Sequence, residues 1–193
     1  MITTIYALLY PLAWALTWSL KGFFPKIQKG FELRALKQGT LPWVLFPQHT
    51  QPIWIHCQSG EFEYALPVIR EIKSQTPHIK IVVTYYTPSY VERIEKESLV
   101  DFSCPLPWDT AKDVSSFISH HKPQQLLIAR TGLWPEVLRQ CRKNNIPVSL
   151  FSMTFSKKLN FWNTLYYRWI FSFISHFFVV SSQDQENLLR IDP

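Results

Sequence analysis

Short apolar runs alternate with segments of helical period along most of the chain. The run 53–56 predicts a strand, and the apolar positions of 62–72 then recur at helical spacing. A β-branched run at 79–84 predicts a second strand. Further strands are predicted at 125–129, 147–152 and 177–181, and further helices at 88–97, 110–120, 135–143, 160–172 and 183–190. This βαβα order predicts an α/β fold, with a Rossmann-like parallel sheet covered by helices on both faces.

The ends of the predicted strands indicate where a binding site is expected. In a parallel sheet of this kind, ligands bind at the carboxyl ends of the strands. The first candidates are therefore the loops that follow His56, Thr84, Ala129 and Phe151. The second loop also contains a helix start, because Thr87 followed by Pro88 is typical of an N-cap and a first helical position.

The amino-terminal segment has the composition of a membrane-associated helix. Residues 2–20 carry no charge, and as a helix they would be about 29 Å long, close to the thickness of a hydrocarbon core. Pro11 interrupts the segment, and its aromatic residues favour the membrane interface: Tyr6, Tyr10, Trp14 and Trp18. The sequence therefore predicts anchoring by a spanning or an interfacial helix. The alternative is a helix packed on the surface of the domain.

Basic residues dominate the region that follows. A single acid, Glu32, stands among five basic residues: Lys21, Lys26, Lys29, Arg34 and Lys37. Such a bias keeps the following chain on the cytoplasmic side, against an anionic leaflet. We therefore divide the chain into a membrane-anchor segment (1–24), a basic linker (25–51) and the α/β domain (52–193).

Composition narrows the function classes. Of 193 residues, 47% are hydrophobic and 18% are charged, which excludes a disordered chain and a coiled coil. The net charge of +6 and the aromatic content of 16% suit a protein that contacts membranes or anionic ligands. The dispersed basic residues accompany no recognised motif, which argues against nucleic-acid binding. Three widely spaced cysteines indicate neither a disulfide framework nor a zinc site, so we expect a reducing compartment.

Five short motifs occur in the same order as in a known enzyme family. They are WIHCQSGE at 54–61 followed by ALP at 65–67, Thr84 with Thr87-Pro88, PLPWD at 105–109, LWP at 133–135, and Ser181 with Asp184. In these motifs the chain resembles the 3-deoxy-D-manno-octulosonic acid (Kdo) transferases, bacterial glycosyltransferases that transfer Kdo from CMP-Kdo to the lipid A precursor. Together the motifs cover essentially the whole chain.

The resemblance implies the amino-terminal, acceptor-side half of a two-domain GT-B glycosyltransferase, preceded by a membrane anchor. The implied partners are CMP-Kdo as donor, a lipid A precursor as acceptor, the anionic cytoplasmic surface of the bacterial inner membrane, and a second Rossmann-like donor domain or chain. The implied reaction is inverting transfer in lipopolysaccharide core biosynthesis, without a cofactor or a metal. The alternative is a non-catalytic domain that binds the lipid A precursor or a partner chain.

The resemblance assigns the role of catalytic base to Glu61. Sugar transfer needs a group that removes the proton of the acceptor hydroxyl, and a helix amino terminus favours an ionised carboxylate. Alternatively, Glu61 only complements the helix dipole. The family loop has one more residue between the serine and the glycine that match Ser59 and Gly60, which alters the expected placement of the carboxylate. His56 is a second candidate base, with a hydrogen-bonded structural role as its alternative.

Substrate binding is expected from Ser59, Gly60 and Arg130. Ser59 and the amides beside it can bind a phosphate or carboxylate oxygen, or Ser59 caps the helix. Gly60 permits a close approach to the backbone. Where this chain has RTGLWP at 130–135, family members carry Glu-x-Glu-Leu-Trp-Pro. Arg130, in the first glutamate's place, is either an anion-binding residue or a surface arginine.

Overall fold

A six-stranded parallel sheet forms the centre of the computed structural model, which describes residues 2–35, 41–155 and 161–191. The strands are Ile53–Cys57 (β1), Ile81–Tyr85 (β2), Phe102–Pro105 (β3), Gln125–Ala129 (β4), Val148–Met153 (β5) and His176–Val179 (β6). The helices are Ile2–Leu20 (α1), Pro25–Arg34 (α2), Phe62–Gln75 (α3), Val91–Glu95 (α4), Ala111–His121 (α5), Pro135–Lys143 (α6), Phe161–Phe171 (α7) and Ser182–Ile191 (α8).

The strand order β3-β2-β1-β4-β5-β6 confirms the predicted α/β fold with a Rossmann-like parallel sheet. The chain proceeds from β1 to β3 towards one edge, then returns to β4 and proceeds towards the other edge. Ile53 pairs with Ile81 of β2 on one side and with Gln125 of β4 on the other. The loops after β1 and β4 therefore diverge and leave a crevice at the carboxyl edge of the sheet.

Two apolar layers hold helices against the faces of the sheet. On one face, Trp54 of β1 packs in a cluster with Phe117 of α5 and Leu138 of α6. On the other face, Ile55 of β1 packs with Phe62 of α3. All five residues of β1 are buried, because successive side chains of a central strand enter opposite layers. The site loops are therefore attached to a strand that is fixed from both sides.

The structure departs from the sequence predictions on either side of β2. Strand β3 carries no sequence prediction, because it has four residues, ends at Pro105 and is half exposed at Phe102. The helix predicted at 88–97 is instead a 3-10 turn at Pro88–Tyr90 followed by α4. Pro88 occupies the first position of the 3-10 turn, as predicted. Thr87 occupies the N-cap position, but the prediction that its side chain caps the turn is wrong. The Thr87 side chain makes no capping hydrogen bond, and its Oγ1 atom is buried without a partner among the described residues.

The range 25–51 contains ordered elements as well as basic residues. Helix α2 begins at Pro25, and a 3-10 turn at Pro42–Leu45 buries Trp43 in the core. Lys37, one of the basic residues of this range, lies outside the described residues. Within the described part of the chain, no helix has both the length and the hydropathy that crossing a membrane requires.

Helix α1 contacts the domain through two tyrosines and Asp109. The Tyr6 hydroxyl donates to the Asp109 carboxylate, and the Asp109 amide donates to the Tyr10 hydroxyl at 2.9 Å. The same carboxylate accepts the amides of Glu136 at 3.1 Å and Val137 at 2.9 Å, at the amino terminus of α6. Asp109 thus joins α1 to α6. Burial raises the pKa of Asp109 to about 6, against the opposing effect of these hydrogen bonds.

We predict that Asp109→Ala destabilises the fold, because it removes the acceptor of two α6 amides and of Tyr6. At pH 7.5 the expected loss is about 1–2 kcal/mol, or about 2–8 °C in thermal midpoint. The matched control is Asp113→Ala, since Asp113 lies in the first turn of α5 and its carboxylate accepts only from Thr110. An equal loss in both variants would contradict the bridging role of Asp109.

Wild type and Asp109→Ala also test how protonation of Asp109 changes the stability of the fold. Because its pKa is raised from 3.8 to about 6, the folded state binds this proton at a higher pH than the unfolded state does. The pH-dependent part of the stability contribution of Asp109 is therefore fully present below about 3.8 and is lost as the pH rises through about 6, whereas the hydrogen bonds from the α6 amides remain at pH 7.5. We expect a larger midpoint difference between wild type and Asp109→Ala at pH 5 than at pH 8. Buried histidines titrate in both proteins and cancel in this difference.

Candidate active site

The loop between β1 and α3 holds Glu61 at the carboxyl edge of the sheet. Glu61 occupies the N-cap position of α3, but its side chain does not cap the helix. Its Oε2 atom instead accepts the backbone amide of Ser59 at 2.7 Å. The amides of Phe62 and Glu63 donate to the carbonyl oxygens of Ser59 and Gly60, so the first turn is closed by backbone bonds. Glu61 is half buried, and its Oε1 atom has no hydrogen-bond partner among the described residues.

The space next to Gly60 is bordered by an aromatic ring. A Cβ atom at Gly60 would lie 3.4 Å from Cε2 of Tyr90, which is ordinary contact. Tyr90 ends the 3-10 turn that follows β2. The loops after β1 and β2 are also joined by backbone bonds, since the amides of Tyr86 and Thr87 donate to the Gln58 carbonyl oxygen. Ser59, Gly60 and Glu61 therefore lie in a loop that β1 and β2 position together.

Arg130 lies at the same edge, directly after β4. Its backbone adopts a left-handed conformation with φ of 64°, and its amide donates to the Phe151 carbonyl oxygen at 2.8 Å. The guanidinium donates to the Tyr64 hydroxyl and to Thr154 Oγ1, both at 3.3 Å. It also lies 5.1 Å from the centroid of the Tyr64 ring. Because Tyr64 is in the first turn of α3, the structure brings Arg130 to the helix that begins after Glu61.

His56 lies in β1 and is buried beneath the carboxyl edge of the sheet. Its ring is buried, with Nδ1 3.0 Å from Thr84 Oγ1 and 3.2 Å from the Thr84 carbonyl oxygen. The Nε2 atom is buried and has no partner among the described residues. Burial lowers the pKa of His56 to about 3, so the ring is neutral near pH 7. These contacts favour the structural role for His56 over the role of base.

His56 also explains why residue 132 is a glycine. A Cβ atom on Gly132 would lie 2.6 Å from Cδ2 and 2.8 Å from Nε2 of the His56 ring. Distances this short require the ring or the loop to move, so a glutamate does not fit at 132 in this arrangement. The side chain that residue 132 can carry is therefore limited by the position of His56.

A cavity of about 390 Å³ adjoins the loop that carries Glu61. It lies between the amino-terminal helices and the loop after β2, and residues from both sides line it: Thr17, Phe31, Arg34, Ser59, Thr87 and Trp108. The sequence does not mark Arg34 as a site residue, because Arg34 is one of five basic residues in its region and no spacing distinguishes it. A second cavity of about 170 Å³ lies beside β5 and is lined in part by Arg130, Thr154 and Tyr166.

Comparison with known proteins identifies the family. Residues 30–192 match the sequence model of the 3-deoxy-D-manno-octulosonic-acid transferases, also called kdotransferases. The chain belongs to this family. It corresponds to the amino-terminal domain of a Kdo transferase.

Individual relatives support the same assignment. The 3-deoxy-D-manno-octulosonic acid transferase of Haemophilus influenzae is 35% identical over 100 residues, which are 50% of this chain and 23% of that protein. The transferase of Aquifex aeolicus is 32% identical over 88 residues, which are 45% of this chain and 24% of that protein. A probable mitochondrial transferase of Arabidopsis thaliana is 32% identical over 108 residues, which are 55% of this chain and 24% of that protein. The matched segments thus span about a quarter of these relatives.

Three of the five Kdo transferase motifs have structural roles in this chain. Asp109 of the PLPWD motif binds the amino terminus of α6. Trp134 of the LWP motif precedes α6 and lies 4.4 Å from the Tyr86 ring, measured between ring centroids. Asp184 exchanges hydrogen bonds with Ser181 at the start of α8. The motif at 54–61 ends with Glu61, whose carboxylate accepts the Ser59 amide in the loop after β1.

We predict that Gly132→Ala is destabilising, because the added Cβ meets the His56 ring at 2.6 Å. The expected loss of unfolding free energy is about 1–3 kcal/mol. Gly22→Ala is the matched control, since no atom lies within 4 Å of a Cβ at Gly22. In a His56→Ala background the cost of Gly132→Ala is expected to fall, and denaturant unfolding of the four proteins gives the coupling. Additive costs would show that the two residues do not compete for this space.

Proposed function

We propose that this chain supplies the acceptor-side half of a Kdo transferase, with Glu61 as the general base. The reaction is inverting transfer of Kdo from CMP-Kdo to a hydroxyl of a lipid A precursor. The observation that carries the proposal is the position of Glu61, which is half buried at the switch in strand order, in the loop whose Ser59 lines the cavity of about 390 Å³. A family relationship alone does not assign a reaction to this domain, so the proposal depends on that geometry.

The chemistry follows from how the carboxylate is held. Ser59 fixes Oε2 through its amide, whereas Oε1 is left to accept a proton. The acceptor hydroxyl transfers its proton to Glu61 while its oxygen forms a bond to the anomeric carbon of Kdo. The bond from that carbon to the phosphate oxygen of CMP breaks on the opposite side, and CMP departs with the electron pair. The configuration at the anomeric carbon is therefore inverted.

Arg130 provides a positive charge for an anionic part of the substrates. Its two hydrogen bonds, to Tyr64 and Thr154, are 3.3 Å long and are made to neutral hydroxyls. A carboxylate or phosphate forms shorter, charge-assisted bonds with a guanidinium and can replace such contacts. We therefore assign Arg130 to the sugar carboxylate or a lipid phosphate, together with Ser59 and Gly60 at the loop after β1.

Helix α1 supports attachment to a membrane surface. Several of its large apolar side chains are exposed, among them Leu9, Leu12, Leu16 and Trp18. The segment carries no charged residue, and Lys21 follows it directly. An exposed apolar face beside basic residues suits a helix that lies in the interface of an anionic leaflet. We therefore propose an interfacial anchor on the cytoplasmic side of the bacterial inner membrane.

Two departures from the family pattern favour the alternative, a domain that binds the lipid A precursor or a partner chain without catalysis. Both glutamates of the family motif are replaced, by Arg130 and Gly132, and the loop before Glu61 is one residue shorter than in the family. A binding domain would keep the cavity and the exposed helix but would not depend on Glu61. The two functions therefore differ in what happens when this carboxylate is neutralised.

We predict that Glu61→Gln lowers Kdo transfer by about 10²–10⁴-fold, the range for loss of a general base. Transfer from CMP-Kdo to the lipid A precursor is measured with this chain and a donor domain present together. The matched control is Glu63→Gln, since Glu63 is in the first turn of the same helix but is exposed and pairs with Arg93. Glu63→Gln is expected to leave the rate nearly unchanged.

Thermal midpoints of the same variants separate the two roles of Glu61. A residue that only complements the helix dipole contributes about 0.3–1 kcal/mol to stability and nothing to the chemistry. A base contributes to the rate whatever its effect on the midpoint. Near-normal transfer by Glu61→Gln, with a small loss of stability, would reject the catalytic assignment and favour the binding domain.

We also predict that Leu12→Glu with Leu16→Glu releases the chain from anionic vesicles. These side chains are 67% and 61% exposed, so charges there disturb the proposed interfacial face and little of the domain. The expected fall in vesicle partitioning is at least about tenfold, since each buried leucine contributes roughly 1.5–3 kcal/mol. Leu189→Glu is the control, because Leu189 is 71% exposed on α8. Equal partitioning of wild type and the double variant in co-sedimentation would exclude anchoring by this face.

A further inference from the structure

Arg34 is a buried cation that binds only backbone carbonyl groups. It is 8% exposed, and three of its nitrogens donate to the carbonyl oxygens of Leu106 at 2.9 Å, Gly30 at 3.0 Å and Tyr86 at 2.9 Å. Among the described residues, no carboxylate lies within 4.0 Å of the guanidinium. Burying a charge without a counter-ion is unfavourable, so these carbonyl bonds must compensate for the loss of hydration.

The bonds from Arg34 join three segments that meet at the carboxyl edge of the sheet. Gly30 is in α2, Tyr86 follows β2, and Leu106 follows β3. The Leu106 amide also donates to the Tyr85 carbonyl oxygen at 2.7 Å, at the end of β2. The loops after β2 and β3 are therefore held to each other, and Arg34 holds both of them to α2.

Two aromatic rings fix the orientation of the Arg34 guanidinium. It lies 4.8 Å from the centroid of the Tyr86 ring and 4.9 Å from that of the Trp108 ring. A guanidinium can donate from three nitrogens in one plane while its face lies against aromatic rings, whereas a lysine has a single nitrogen. The arrangement therefore requires the shape of the guanidinium as well as its charge.

The loop that Arg34 holds is itself bonded to the loop of Glu61. The Tyr86 amide donates to the Gln58 carbonyl oxygen at 3.2 Å, while the Tyr86 carbonyl oxygen accepts from Arg34. Gln58 directly precedes Ser59, whose amide donates to Oε2 of Glu61 at 2.7 Å. A continuous series of backbone segments and hydrogen bonds thus connects the guanidinium to the Glu61 carboxylate.

We propose that Arg34 is a positioning residue for Glu61, because its bond to the Tyr86 carbonyl oxygen fixes the loop after β2 and, through it, the loop after β1. The inference rests on the proposed function in one respect: an effect on the rate requires Glu61 to be the base. An effect on the loops requires neither substrate nor turnover. Arg34 contacts no reacting atom in this role, so its loss slows the reaction of bound substrates rather than weakening their binding.

Amide hydrogen exchange of the full chain, measured by NMR, tests the positioning role without substrate. In Arg34→Lys we expect exchange at the Ser59 and Tyr86 amides to be at least about tenfold faster, because their loops open more often. The Arg130 amide, which is bonded to the Phe151 carbonyl oxygen, is expected to exchange at the wild-type rate. Unchanged exchange at Ser59 and Tyr86 would overturn the proposal. Equal acceleration at Arg130 would show a general loss of stability and would overturn it as well.

Transfer kinetics, measured with a donor domain present, separate positioning from substrate binding. Arg34→Lys is expected to lower kcat by about 10- to 100-fold and to change KM for the lipid A precursor by less than about twofold. A raised KM with unchanged kcat would assign Arg34 to substrate binding and overturn the proposal. Arg168→Lys is the matched control, since Arg168 also donates to a carbonyl oxygen, but to that of Ile191 at the end of α8. This control is expected to keep the wild-type kcat.

The double variant Arg34→Lys with Glu61→Gln tests whether Arg34 acts through Glu61. Once the carboxylate is absent, its position no longer affects the rate, so we expect a kcat within about twofold of that of Glu61→Gln alone. A further fall as large as that caused by Arg34→Lys in wild type would show an independent role for Arg34. That result would also overturn the proposal.

The outcomes distinguish a failure of this proposal from a failure of the catalytic one. Normal transfer by Glu61→Gln would reject the catalytic base, while faster exchange at Ser59 and Tyr86 in Arg34→Lys would still support the control of this loop by Arg34. Conversely, unchanged exchange in Arg34→Lys would reject the positioning role even if Glu61→Gln abolishes transfer.

Discussion

The burial of β1 between β2 and β4 is the constraint on which the rest of the structure depends. Every residue of this strand is buried, and Ile53 pairs with a neighbour on each side. Because the chain leaves β1 and β4 for opposite edges, their following loops diverge at the centre of the sheet. Glu61 and Arg130 project from these two loops. The candidate chemistry is therefore attached to strands that are held on both sides by neighbouring strands.

Sequence patterns predicted the fold well wherever burial follows a regular period. Five of the six strands and the helices on the faces of the sheet were predictable, because each buries a continuous or periodic apolar set. Strand β3 was not, since it is short, partly exposed and ends at a proline. Helix α2 was not predicted either, because its polar and apolar residues have no clear helical period.

The sequence predicted only those residues of the candidate site whose place follows from the order of strands and loops. Glu61 and Arg130 were predictable at the carboxyl edge, because each lies in the loop that follows a predicted strand. The partners of Arg34 and His56 were not, because contacts such as Arg34 with Leu106 join residues 72 positions apart. The need for a glycine at 132 was not predictable either, because it depends on the contact of this position with the His56 ring. The spacing of residues along the chain does not predict such long-range contacts.

The two arginines at this edge differ in how firmly the protein holds them. Arg34 is buried, with three carbonyl bonds of about 3 Å and two aromatic rings around it, so its direction is set by the fold. Arg130 is half exposed and makes two bonds of 3.3 Å to hydroxyls. A pre-oriented cation loses little entropy on binding, whereas a loosely held one can follow a ligand that moves. Arg34 is therefore a fixed part of the fold, whereas Arg130, the residue that the proposed function assigns to an anionic substrate group, can adjust to its ligand.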